Sequence, residues 1–206
     1  MVDATKSENQ IGLRGNQLDT ARAAIILESG EVDGNDFLRL TALELTWLRG
    51  ETKDVDLTND IFARTVEFDG DDQVIEKLKE LLRVVDNIEY RSWSNLDALV
   101  ILLPDWFLLA CSKPFSNDEM VAWLDKWRAL SGDAQKLLEE ERGWSAIDWL
   151  HWLHPQQRGW FVVLSEFRIG GSNQLTLATC EWLIPLGSLT WALRCAGATR
   201  VDIQAF

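Results

Sequence analysis

The hydrophobic pattern of this chain centres on residues 98–112, ALVILLPDWFLLACS, where two wholly apolar blocks flank Pro104-Asp105. The run is too short and too interrupted for a membrane span, which needs roughly 20 continuous apolar residues. Periodicity alone does not separate helix from strand here. Pro104 removes a backbone donor and biases Leu103 towards an extended conformation. Two short buried strands, or one bent strand, are therefore expected, covered on both faces.

Before this stretch, residues 16–29 carry good helix formers, with Gly30 as a stop. Over residues 37–48 the apolar positions Leu38, Leu40 and Ala42 slip by one to Leu43, Leu45 and Trp47. Period two on each side of a slip favours a strand with a bulge. A helix is the rival, because Leu38, Ala42, Leu45 and Leu48 also recur at three- and four-residue spacing. Residues 61–68 read as a strand ended by the turn Asp69-Gly70-Asp71. Residues 72–85 form the clearest helix, with Val74, Leu78, Leu81, Leu82 and Val85 on one stripe and Asp72 at the N-cap or first turn. Residues 88–93 read as a strand.

Beyond the central stretch, Ser116 and Glu119 fit a capping box, opening a helix to Leu130. Its stripe of Met120, Trp123, Leu124, Trp127 and Leu130 predicts core packing. A third helix from Gly132-Asp133 to about Leu153 is interruptible at Gly143 and stopped by Pro155. The last quarter predicts strands over 159–169 and 174–183, a helix over 186–195 stopped by Gly197, and a strand over 199–206.

Helices and strands are thus interspersed without strict alternation, which predicts an α+β fold with a mainly antiparallel sheet and about five helices. The order β-β-α-β occurs at 37–93 and again at 159–206. It suggests two similar halves joined by a helical pair. A single domain over 1–206 is expected, with 1–115 and 116–206 as its natural subdivision.

Charge changes this picture more than composition does. The 206 residues carry a net charge of -13, and residues 1–97 alone account for -10. Such a chain repels nucleic acid and anionic lipid, and it attracts basic proteins. The N-terminal MVDATKSENQ has no basic and apolar signal pattern. Cys111, Cys180 and Cys195 lie in apolar contexts without metal-like spacing, as expected of free thiols in a reducing cytoplasm.

Motifs that carry chemistry are sparse. His151 and His154 are the only histidines, with Asp148 about one turn earlier, but this is not the spacing of zinc-protease helices. Asp54, Asp56 and Asp60 resemble the start of a calcium loop, yet its sixth-position Gly and twelfth-position Glu are missing. There is no nucleophile-elbow, Walker or dinucleotide-binding pattern. No metal or other cofactor is implied.

These readings favour a non-enzymatic, acidic binding protein of the inhibitor or immunity type, which would neutralise a basic partner such as a toxin or nuclease. The contacts expected are Asp54, Asp56, Asp60, Asp69, Asp71 and Asp72, with Trp93 as an apolar anchor. The alternative is a small-molecule-binding or enzymatic domain with a Trp-lined pocket. Asp148, His151, His154, Cys180, Trp127 and Trp152 would line it.

Overall fold

The computed structural model describes residues 34–51, 62–168, 172–179 and 185–204. The helix expected over 16–29, the carboxylates Asp54, Asp56 and Asp60, and Cys180 lie outside them. Among the described residues the fold is α+β, with eight α-helices and one four-stranded antiparallel sheet. The helices outnumber the five expected, because two apolar segments that look strand-like form three helices and the helix expected over 132–153 is divided in two.

The chain begins with helix α1 (Gly34–Leu48), strand β1 (Phe62–Asp69) and helix α2 (Asp72–Asp86). Residues 37–48 are therefore helical, against the expected bulged strand. Leu40, Thr41, Glu44, Trp47 and Leu48 are buried, and the polar Thr and Glu among them disguise a helical stripe as alternation. In α2, Asp71 in extended conformation accepts the Gln73 N–H at 3.1 Å as N-cap, and Asp72 lies in the first turn. The predicted stripe faces the core, each buried side chain contributing about 1.5–3 kcal/mol.

A 3-10 turn (Tyr90–Ser94) replaces the strand expected over 88–93. With α1 and this turn in place of strands, the β-β-α-β order expected at 37–93 is not found among the described residues there, whereas β, β, α, β follow one another in the last quarter. The central apolar stretch then forms two short helices, α3 (Leu96–Val100) and α4 (Asp105–Ala110). Pro104 does not extend a strand; it precedes α4, and its carbonyl accepts the N–H groups of Phe107 and Leu108. Leu99, Leu103 and Phe107, four residues apart, are buried. Ile101, Leu102 and Leu109 are not.

Helices α5 (Asn117–Arg128) and α6 (Gly132–Arg142) form a hairpin, and α7 (Ala146–Leu153) follows. The Ser116–Glu119 capping box is present. The core role expected of the α5 stripe is not: the helix has no fully buried residue, and Trp123 and Trp127 are half-buried. Trp127 donates its indole N–H to Glu139 at 2.7 Å, tying α5 to α6. Gly143 breaks the longer helix because its φ is +65° and a Cβ there would lie 2.6 Å from the Trp191 ring.

The chain closes with β2 (Trp160–Glu166), β3 (Asn173–Thr179), α8 (Gly187–Ala196) and β4 (Arg200–Ile203). Gly197, at φ +118°, ends α8 in a left-handed turn. The strand order is β2-β3-β1-β4, with Val66 opposite Leu175, Val162 opposite Leu177 and an irregular register between Val162 and Leu164. One sheet face presents Val66, Phe68, Val162, Leu175 and Leu177 to the main core with α2, α7 and α8. The opposite face packs Phe161, Val163 and Ala178 on Leu40 of α1. The buried Ser188 accepts the Trp149 indole N–H on its carbonyl (2.9 Å) and that of Trp160 on its hydroxyl (3.3 Å). Two of the clustered tryptophans are thereby satisfied inside the core.

Candidate docking surface and adjoining cavity

The segment 97–109 has two opposite sides. Leu99, Leu103 and Phe107 point inward, and Phe107 packs on Trp149 with ring centroids 4.6 Å apart. Outward, Ile101 is 78% exposed, Leu102 52% and Leu109 87%. Asp97 and Asp105, both exposed, each precede an outward apolar residue by four positions, so acid and apolar side chains share one face of each short helix. Trp106 fastens this apolar knuckle to the body, donating its indole N–H to Glu80 of α2 at 2.9 Å beneath Lys77.

Beside the knuckle lies a cavity of about 290 Å³. Val100 and Leu108 belong to both; Ala146 and Ile147 of α7 form the far wall, and Asp97 and Lys113 supply charge. The strap carrying Lys113 is fixed at Ser112, whose N–H donates to Trp144 O at 2.9 Å and whose hydroxyl contacts Arg142 O. Cys111 also borders the cavity; burial pushes its thiol up to about 11, and Cys195 is pushed up to about 12 by burial and by Cys111. Both are free and half-buried.

Of the three expected acidic contacts among the described residues, Asp69 and Asp71 are engaged within the fold. Asp69 accepts the Ser172 hydroxyl at 2.8 Å, and its carbonyl accepts the Thr199 N–H. Asp71 caps α2, and Asp72 is exposed beside it. Arg200 faces Asp69 across β1 and β4 and is paired with Asp202, which raises its pKa. This corner is therefore partly neutralised by its own strand neighbour. Trp93 is not an exposed anchor: it is 3% exposed, with the His154 ring 5.4 Å from its own.

The residues of the expected Trp-lined pocket have separate partners. Asp148 accepts the hydroxyl of Ser145, the N-cap of α7, at 2.6 Å. His151 is exposed and its ring meets that of Trp152; His154, at the end of α7, packs on Trp93 and Tyr90. Burial, helped by the neighbouring His151, lowers the His154 pKa, and its Nδ1 accepts the Gln156 N–H. Trp127 belongs to the α5–α6 hairpin. None of these five lines the cavity. Among the described residues no group of three His, Cys, Asp or Glu is placed to hold a metal ion, and no helix is long and apolar enough to cross a membrane.

Sequence reasoning also missed a buried ion cluster. The Arg158 guanidinium bonds Glu44 at 2.5 Å and Asp86 at 3.0 Å, and its Nε donates to Trp160 O. Glu44 in turn accepts the Val162 N–H at 2.8 Å. Burial raises Glu44 to about 8, with Arg158 opposing and Asp86 adding to the rise. With Glu44 fully enclosed and Asp86 and Arg158 buried, this cluster joins α1, α2 and β2. The only sequence signal for it is Glu44 on the inward stripe of a helix.

No family model, no curated protein and no solved structure matches this chain.

Proposed function

We propose that this chain is an acidic binding protein that captures a basic protein partner through the knuckle of α3 and α4. The observation that carries this reading is the exposure of Ile101, Leu102 and Leu109 on a segment that Leu99, Leu103 and Phe107 anchor to the core. Large apolar side chains held out in solvent by a rigid base mark interaction sites. A net charge of -13 speeds encounter with a cationic partner, and the apolar contact slows its release. Neutralising a basic toxin or nuclease is the form of this function that the charge supports best.

The test is capture by the immobilised chain from its own cell extract, with a Leu109→Asp variant beside it. Partners with isoelectric points above neutrality, released by salt and missing from the variant's eluate, support the reading. Partners that are acidic, insensitive to salt or equally retained by Leu109→Asp overturn it.

A further inference from the structure

The geometry points to the cavity beside the knuckle as a socket for one apolar side chain of a basic, amphipathic partner segment. This rests on the binding reading above and adds the part of the partner that is recognised.

Three features of the surface define that occupant. Val100 and Leu108 line the cavity, and their sequence neighbours Ile101 and Leu109 stand exposed outside it. A volume of about 290 Å³ with Ala146 and Ile147 as its far wall accepts a leucine- or phenylalanine-sized group. Asp97 and Asp105 each lie one helical turn from an outward apolar residue. The complementary segment carries Lys or Arg one turn from its own apolar residues, as an amphipathic basic helix does.

The socket is lined by charge of both signs, Asp97 of α3 and Lys113 after Ser112. A cationic side chain next to the inserted residue is drawn to Asp97 and repelled from Lys113. That asymmetry fixes the direction in which the segment lies, which a uniformly acidic rim would not do.

The test uses the whole chain and three fluorescently labelled 14-residue peptides in buffer of physiological ionic strength. One is built from leucine and lysine at helical spacing, one is a lysine peptide of equal charge without leucine, and one replaces lysine by glutamate. Anisotropy titration is expected to show binding of the leucine–lysine peptide only. Affinity falls at least tenfold in Leu109→Asp, at least threefold in Asp97→Asn, and at least tenfold when Ile147→Trp fills the socket. Denaturation midpoints equal to the wild type's certify each variant, and Asp97→Asn, at an exposed position, keeps the test open should Ile147→Trp unfold.

Undiminished binding by a folded Ile147→Trp and by Asp97→Asn overturns the socket while leaving the knuckle reading intact, provided Leu109→Asp still weakens binding. Equal binding of the leucine-free peptide overturns the socket and reduces recognition to charge. Binding of none of the cationic peptides overturns both. Adsorption to uncharged phosphatidylcholine vesicles that is lost in Leu109→Asp assigns the knuckle to a lipid surface, and the protein-segment proposal falls.

Discussion

The Arg158 guanidinium and the Glu44 carboxylate, 114 residues apart in sequence, meet at 2.5 Å in the interior. Asp86 completes the cluster, so two acids share one buried cation. Two ionised carboxylates would leave a net buried negative charge. Burial, with Asp86 adding to it and Arg158 opposing it, raises the Glu44 pKa and so favours its protonated form.

Removing the cation should be severe. Arg158→Ala strands Asp86 and the Glu44 site without a counter-charge and is expected to cost about 3–5 kcal/mol. Urea denaturation measures it; a loss below about 1 kcal/mol would show that the cluster is not sealed from water.

The same cluster dictates a pH dependence. Glu44 has an ordinary value of 4.5 and is raised to about 8 in the fold. Between those values the folded chain holds a proton that the unfolded chain has released. The contribution is therefore fully present below about 4.5, declines as pH rises, and is gone above about 8. Denaturation at a series of pH values should show this decline in the wild type and its loss in Glu44→Gln. Parallel profiles would mean that Glu44 is ionised throughout.

Neighbouring residues of the central stretch should differ sharply. Leu103→Ala, in the core, is expected to cost about 2–5 kcal/mol. Leu109→Ala, out in solvent, should stay within about 0.5 kcal/mol of the wild type. Equal effects on the denaturation midpoint would contradict the inward and outward assignment.

Two glycines make a similar contrast. Gly143→Ala meets the Trp191 ring in a left-handed backbone and should destabilise by more than about 1 kcal/mol. Gly132→Ala, in the first turn of α6 with open space around it, should be neutral or stabilising by up to about 1 kcal/mol.

Thiol chemistry provides an independent probe. Burial raises Cys111 from 9.0 to about 11, leaving roughly 100-fold less thiolate at neutral pH. In a Cys180→Ala background, Ellman's reagent should modify the native chain at least ten times more slowly than the urea-unfolded chain. Equal rates would show that Cys111 and Cys195 are freely accessible.

Much of the fold was legible wherever one face of an element carried an unmixed apolar stripe. α2, the Ser116 capping box, the β2–β3 pair and the Gly197 stop are all local patterns, and they formed as the residues suggested. Residues 37–48 misled because Glu44 occupies an inward position, which makes sense only once Arg158 is beside it. Residues 98–112 misled for the opposite reason. Ile101, Leu102 and Leu109 have the character of core residues, and nothing local announces that the chain leaves them outside. The same gap hid the docking surface: exposure of a leucine is a property of the packed molecule, not of its neighbours in sequence.

The Glu44–Arg158 pair has one more effect, on what the sheet can recruit. Trp160 O and Val162 N–H lie on the flank of β2 away from β3, and among the described residues no strand pairs with them. A guanidinium and a carboxylate occupy both groups, much as one residue of a parallel strand would. With those two groups occupied, this part of the β2 edge offers no free hydrogen-bond template to a stray polypeptide.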